Sequence, residues 1–443
     1  VRALVLDAGG NGLDWCLRTK RAGHDVVLYI PDKPRLGLIG RGLVKRVANW
    51  REWVRWADLV FLTDNTAYLG ELRRVMAALG ASPAVFGATE ESSEWELDRD
   101  RGMSLFRSEG IAIPPSREFN DYDKAIAYVK KEDRAFVSKP SGDADKALSY
   151  VSKTPEDLVF MLQRWKRLGK IKSPFILQEK VNGTEMAVGG WIGPNGFAPG
   201  WCENWEFKKL MDGERGVATG EQGTILRYCA ESKLADEVLA PFESAIIASA
   251  HTGYVDVNCI ITDNGTPYPL EWTMRCGWPT FNIQQAVHDG DPAEWMLDLA
   301  RGGMPSHAVM DTVAAGVVMS IPDYPYNKYP LGDVSEIPIY GIKPSKLHNL
   351  HPCEMAMGMA PARVNDVVID ATPMMVTAGT YVLVASGDGG TVEEARRHAY
   401  QCIESVSLPN SPMYRGDIGR RLQSQLPKLQ ANGYAIGLTY KAD

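Results

Sequence analysis

The chain has 443 residues, 45% apolar and 23% charged, an ordinary globular mixture that excludes a disordered tail, a collagen-like fibre or a small disulfide scaffold. At about 150 residues per domain, two to four structural units are expected. Lys and Arg number 48 against 55 acids, a net −7, which argues against nucleic-acid binding through the phosphate backbone.

The first elements alternate strand and helix. Leu4-Val-Leu-Asp7 is a buried-type run that ends in the turn Ala8-Gly-Gly-Asn-Gly12, and an amphipathic segment follows around Trp15-Cys-Leu. Further apolar runs lie at 25–30, 57–62 and around Val85-Phe86. This is the pattern of a doubly wound parallel sheet, which takes ligands beyond the carboxyl ends of its strands, here near Gly9–Gly12 and Thr63–Thr66. From about 118 to 190 the spacing predicts a helix over 124–131 and a strand over 135–138. A helix over 155–167, capped by Thr154, and strands at 175–178 and 186–192 follow. The glycine-rich, charged stretch 212–223 reads as a functional loop without regular structure. Strands at 253–261 and 267–273 flank the turn Asp263-Asn-Gly265. The last third predicts strands at 316–320 and 380–385 and a helix over 392–405, with a boundary in the Pro- and Gly-rich region 302–311. The longest apolar runs, such as Ala314–Met319, fall far below the ~20 residues of a membrane span. No basic-then-apolar leader opens the sequence, and the seven cysteines are scattered without a C-x-x-C pair. A cytoplasmic protein with reduced thiols and no membrane contact is the expectation.

Side chains alternate along a strand, so Asp256 and Asn258 share one face, as do Glu271 and Thr273. Neighbouring strands would gather these four oxygen-bearing side chains, a set that suits Mg²⁺; a solvated face of an antiparallel pair is the plain alternative. Lys139 ends a strand before Pro-Ser-Gly, where it could hold a phosphate or simply be solvated. The segment 179–185 links two strands and could present backbone groups to a base, with Glu185 on ribose hydroxyls. Gly9-Gly-Asn-Gly12 lacks the G-x-G-x-x-G spacing, which disfavours a dinucleotide site. No zinc pattern occurs among the seven histidines; His348-x-x-His351 is a weak candidate pair. No G-x-S-x-G is present.

Taken together, these pieces resemble the ATP-grasp ligases, and within them the phosphoribosylamine–glycine ligases. Leu270-Glu-Trp-Thr-Met-Arg-Cys-Gly-Trp-Pro279 is similar to that family's I/L-E-F-N-x-R-F-G-D-P. Glu206-Phe-Lys-Lys209 and Asp212–Gly220 follow D-H-K-R and D-x-D-x-G-P-N-T-G, and Glu179–Glu185 follows E-F-L-x-G-x-E. Val137-Ser-Lys139, Val85–Thr89, Ala315–Met319 and Tyr414-Arg-Gly-Asp-Ile-Gly419 match further family segments in order. The chain departs from the pattern at Thr273 for asparagine, at Trp278 and Thr280 for two acids, at Arg101 for lysine, and in the phosphate loop after Lys139. Family G-G-R-E-H and V-G-P-E-A-P become Gly9–Leu13 and Leu62–Thr66.

The resemblance implies an α/β (α+β) ATP-grasp fold: a doubly wound N-terminal domain (1–100), an ATP-grasp domain (101–310, small lobe about 118–190) and a mixed C-terminal domain (311–443). It implies a ligase using ATP and Mg²⁺ (or Mn²⁺) to join glycine, or a similar amino acid, to phosphoribosylamine through an acyl phosphate in purine biosynthesis. The alternatives are a ligase with another amine or carboxylate, or an ATP-binding protein without turnover. By the same resemblance Arg275, Lys208 and Lys209 would be catalytic. Arg101, Lys139, Lys146, Glu179, Lys180, Val181 and Glu185 would hold ATP, and Glu271, Thr273, Asn258 and Asp256 the metal. Gly9, Gly10, Asp64, Asn65, Asp212, Thr219 and Gly220 would face substrate. A monomer or homodimer is expected.

Overall fold

Apolar runs closed by turns become strands largely where the sequence places them. The computed structural model describes residues 1–140, 150–170 and 174–442, so Lys146 and Gly142 lie outside the described residues. The chain divides into two compact units, 1–93 with 187–256 and 273–443, and 94–186 with 257–272. The strands Thr184–Gly193, Gly253–Ile261 and Pro267–Thr273 each run across that division. This differs from the linear division at 100 and 310 expected from sequence. The reason is pairing: strands Trp201–Glu206 and Gly223–Cys229 join Val313–Ser320 and Tyr381–Gly389 in one antiparallel sheet. Sequence position alone does not reveal such long-range partners.

The first unit opens with a five-stranded parallel sheet containing Arg2–Leu6, Asp25–Tyr29, Leu59–Leu62 and Ala84–Phe86. Arg2–Leu6 is central, with Leu4 opposite both Val27 and Val60, and its residues from Ala3 on are buried. Leu4, Leu6, Val27, Trp50, Val60 and Leu72 form one core cluster. The helix Leu13–Arg21 follows the first strand through the Gly9–Gly12 turn, and Leu69–Leu79 ends at Gly80 in the left-handed conformation. The doubly wound expectation holds here.

In the second unit a four-stranded antiparallel sheet runs in the order Ser116–Phe119, Phe175–Glu179, Phe136–Pro140, Tyr150–Val151. The helices Tyr122–Glu132 and Pro155–Leu168 supply Ala125, Val129, Leu158, Leu162 and Trp165 to a core shared with Phe119, Phe136, Phe175 and Leu177. Thr154 caps the second helix in a reciprocal box with Asp157, and Pro155 opens its first turn.

One expectation needs correction, and one element is new. The 212–223 stretch is not wholly irregular: Lys209–Met211 and Arg215–Ala218 pair as a small hairpin, turned at Gly213. A long exposed hairpin, Met355–Val364 with Val367–Thr377, was not foreseen; Asn365 and Asp366 both take positive φ at its tip. All seven cysteines are free, six of them buried. No helix among the described residues is long and apolar enough to cross a membrane.

Candidate functional site

At the end of the first strand the chain turns back on its own acid. Asp7 is fully buried, and its carboxylate accepts from the backbone N–H groups of Gly10 (2.9 Å), Asn11 (3.0 Å) and Gly12 (2.8 Å). Thr63 Oγ1 donates to the same carboxylate at 2.8 Å. Burial pushes the Asp7 pKa up, against the pull of these donors. Gly10 sits at φ +79, and a Cβ there would lie 2.6 Å from Ile39 Cδ1, so the turn requires glycine. A turn before a helix offers its amides to anions. Here Asp7 occupies the amides of Gly10, Asn11 and Gly12. Asp64 accepts from the N–H of Thr66 (2.6 Å) and from its hydroxyl, and Asn65 is buried. Trp278 Nε1 donates to the Thr63 carbonyl at 3.3 Å, so Gly10, Thr63 and Trp278 share one corner of this unit.

A second group in the same unit gathers around residues 206–223. Lys208 Nζ lies 3.0 Å from Glu206, and Thr219 Oγ1 donates to the Lys208 carbonyl at 2.8 Å. Glu221 is buried and accepts from Thr280 Oγ1 at 3.3 Å. Asp256 is buried and accepts from Asn204 Nδ2 (2.8 Å) and Tyr254 Oη (3.0 Å). Burial, then the charge of Glu206, pushes Asp256 up to about 7. The same two causes raise Glu221 well above the carboxylate range, while Lys208 pulls both down. These acids form a site short of positive charge, the arrangement a cation relieves.

The 414–419 motif, two hundred residues away in sequence, closes this loop. Gly416 N–H donates to Asp212 Oδ1 and Gly213 N–H to Asp417 Oδ2, each at 2.8 Å. Arg415, with a buried side chain, donates to the Lys209 carbonyl (3.0 Å), Glu214 (2.9 Å) and Asp417 (2.8 Å). Gly220 is exposed at the loop's end. Thr273 and Arg275 follow on the strand and turn beyond Trp272, and Arg275 is half-buried with Nη1 on the Cys276 carbonyl.

The second unit carries the other set. Lys139 Nζ donates to Gln178 Oε1 at 2.9 Å, and Arg134 holds Glu179 at 2.7 Å. Lys180 Nζ reaches the Ser152 carbonyl at 3.3 Å; Val181 is half-buried and Arg101 exposed on the Arg99–Ser108 helix. Asn258 Nδ2 donates to Glu185 Oε1 at 3.0 Å, which brings a proposed metal ligand and a proposed ribose acceptor together. Glu271 is about half exposed, 3.7 Å from Arg99. Trp272 beside it is buried, stacked on Phe106 at 4.6 Å and bonded to the Gly102 carbonyl. Within this unit Glu271 and Asn258 are hard oxygen donors, and Glu271 keeps a solvent-facing carboxylate, chemistry that suits Mg²⁺. His351 bonds Asp14 and Ser386 at 2.8 Å each, so His348-x-x-His351 is not a metal pair. Among the described residues, one His and acid group lies close enough for a metal, His24, Asp291 and Glu294, and there Asp291 caps a helix start and holds His24.

No family model matches the chain. Phosphoribosylamine–glycine ligase from Ralstonia nicotianae is 25% identical over 351 residues, 76% of this chain and 78% of its own. The crystal structure of phosphoribosylamine–glycine ligase from Thermotoga maritima superposes with a TM-score of 0.68 at 21% identity, over 95% of this chain and 100% of that one. The biotin carboxylase domain of Hydrogenobacter thermophilus 2-oxoglutarate carboxylase, crystallised with MgADP, gives 0.57 at 11% identity over 92% and 90%. The fold is the ATP-grasp fold. The chain is similar to the phosphoribosylamine–glycine ligases over about three quarters of its length.

Set against the phosphoribosylamine–glycine ligase pattern, the departures acquire structural roles. Trp278 reaches the Thr63 carbonyl and Thr280 reaches Glu221, so both substitutions rewire hydrogen bonds within the first unit. Four contributors were not singled out from sequence: Asp7, Glu206, Glu221 and Arg415. The signal for Asp7 was an acid closing an otherwise apolar run before a glycine turn. That for Arg415 was its place in a matched motif far from the loop it holds.

Proposed function

We propose that the protein is an ATP-dependent carboxylate–amine ligase of the phosphoribosylamine–glycine ligase type. The observation that carries this reading is the retained run Leu270–Pro279, which keeps a metal-binding acid and a phosphoryl-binding arginine in family spacing within a chain of that fold. The glycine carboxylate takes the γ-phosphoryl group of ATP, releasing ADP. The amine nitrogen then attacks the acyl phosphate, phosphate leaves with the C–O bond, and the nitrogen loses a proton to give the amide.

Glu271 would hold Mg²⁺, with Thr273 and Asn258 or Asp256 as weaker ligands. When bound, the ion neutralises charge on the transferring phosphates. Arg275 offers a planar, always-charged fork to the acyl phosphate. Lys139 and Arg101 would hold the phosphates, with Lys146 as a further candidate on sequence alone. Glu179, Lys180 and Val181 would meet adenine, and Glu185 ribose. Lys208 and Lys209 would neutralise substrate carboxylate near Asp212, Thr219 and Gly220, and Gly9, Gly10, Asp64 and Asn65 would border the amine. ADP release with glycine and phosphoribosylamine together, but with neither alone, is the expected result.

A second reading, a different amine, is favoured by one observation. Asp7 fills the amides that a phosphate would otherwise use, and two like charges ~4 Å apart repel by ~4 kcal/mol at an effective dielectric near 20. An amine panel with ATP and glycine, scored by product mass, separates the readings. Exclusive use of phosphoribosylamine removes the second.

A further inference from the structure

We propose that Glu221 is the base of the ligation: it takes the proton that the amine nitrogen gives up as the amide bond forms. This rests on the ligase reading above and adds a residue to it. The nitrogen lone pair forms the C–N bond, and the acyl C–O bond breaks with its electron pair on the phosphate. One N–H proton passes to a Glu221 carboxylate oxygen, which then releases it to water.

A buried acid is ordinarily satisfied, and Asp7 shows how: four donors meet its carboxylate at 2.8–3.0 Å. Glu221 is also buried, at 5% exposure, but among the described residues a single hydroxyl donates to it. Thr280 Oγ1 lies 3.4 Å from its Oε1 and 3.3 Å from its Oε2, longer than the ~2.5–3.0 Å of a good O–H···O bond. One hydroxyl hydrogen cannot serve both oxygens, and a carboxylate has about four acceptor sites. Leaving them unmet inside the protein is costly, so packing gives no reason for an acid here.

Its place gives one. Glu221 follows Thr219 and Gly220, which with Lys208 would border the substrate carboxylate. Thr219 Oγ1 donates to the Lys208 carbonyl and accepts from Gln222 Nε2, so the chain is held on both sides of Glu221. Gly220 is exposed, and a side chain built there would meet open space, so solvent reaches the residue beside Glu221. Thr280, its hydroxyl partner, stands two residues after Trp278, whose indole holds the Thr63 carbonyl next to Asp64 and Asn65, the border of the amine. Glu221 therefore joins the stretch that would carry the carboxylate to the stretch that would carry the amine, where the C–N bond forms. Thr280 replaces an acid of the resembled pattern, and this corner takes its acid from the 219–223 segment instead. The charges acting on Glu221 are Glu206 and Asp256, both negative, and Lys208, positive. Burial, then Glu206, holds its pKa well above the carboxylate range, the direction a proton acceptor near neutral pH needs.

The test compares nucleophiles on the full chain with ATP and glycine. One set is the amine panel, phosphoribosylamine included. The other is hydroxylamine, which is uncharged at neutral pH and opens an acyl phosphate to a hydroxamate without a protein base. The parent should give both products. Glu221→Gln keeps the shape and should lower amide formation by about a hundredfold or more. Hydroxamate formation should stay within about threefold, and the melting temperature should be unchanged or higher, since a poorly paired buried acid has gone. A fall in amide formation of less than tenfold overturns the proposal. So does an equal loss of both products, which would assign Glu221 to the fold or to phosphoryl transfer. No amide from the parent overturns it as well, and no hydroxamate either overturns the ligase reading itself.

Discussion

The two units of the molecule handle charge in opposite ways. The first buries acids: Asp7, Glu221 and Asp256 are each no more than 5% exposed, and burial raises the pKa of all three. The second keeps its ionisable candidates near water, with Glu179 and Glu271 beside arginines at side-chain exposures of 34% and 48%. A buried carboxylate shapes stability as well as chemistry, whereas an exposed one can serve chemistry with little effect on the fold. Substitutions should therefore separate activity from stability differently in the two units.

The largest expected effect is on turnover, at Glu271. Glu271→Gln keeps the shape, removes the charge and loosens a long, solvent-screened pairing with Arg99. ADP release should fall by a hundredfold or more, roughly the ~2.7 kcal/mol of a lost transition-state contact. The melting temperature should barely move, since exposed pairs contribute ~0–1 kcal/mol. Normal ADP release from this variant would assign Glu271 to a solvated hairpin face.

Asp7 should show the reverse pattern, stability first. Asp7→Gly removes a carboxylate that satisfies three amides and one hydroxyl. A loss of about 3 kcal/mol is expected, the scale of hydrogen bonds to a charged group with donors left unmet. The freed amides should then accept an outside anion. Added phosphate should raise the variant's melting temperature and leave the parent unchanged. Equal response of both proteins would show that the turn never competes for anions.

Much of the fold was legible because local signals and tertiary structure agree. Apolar runs closed by glycine turns marked the parallel sheet, and Thr154-Pro155 marked the start of a helix in the second unit. The Gly253–Ile261 and Pro267–Thr273 strands were readable from alternation and one turn. What sequence reading missed was long-range. Asp212 and Asp417 receive N–H groups from each other's loop across two hundred residues, and no local pattern announces that. The buried roles of Asp7 and Glu221 were not legible either, because the burial of an acid belongs to the packed state and not to the residue type.

Lys139 sharpens the second unit's side of the comparison. Its ammonium donates to the neutral amide of Gln178. Lys139→Ala should therefore raise the apparent KM for ATP about tenfold, with kcat reduced less and stability within ~0.5 kcal/mol. An unchanged KM would remove Lys139 from the nucleotide.

The smallest effect is the one whose sign is most informative. Burial disfavours the charge of Asp256 and pushes its pKa up to about 7 in the folded chain, against an ordinary 3.8. Below pH ~4 it is protonated folded or unfolded and carries no penalty. As pH rises towards 7 the unfolded chain releases its proton first, and the folded state loses stability by an amount that levels off above pH 7. Three pKa units correspond to at most about 4 kcal/mol. Asp256→Asn can still accept from Asn204 and Tyr254 while removing the charge, so it should stabilise the protein by about 1–3 kcal/mol at pH 8 and by almost nothing at pH 4. Urea unfolding at the two pH values reads this directly. If the variant is instead less stable at pH 8, the surrounding charges, Lys208 above all, hold Asp256 ionised, and the acids of the first unit form a balanced network rather than one short of a cation.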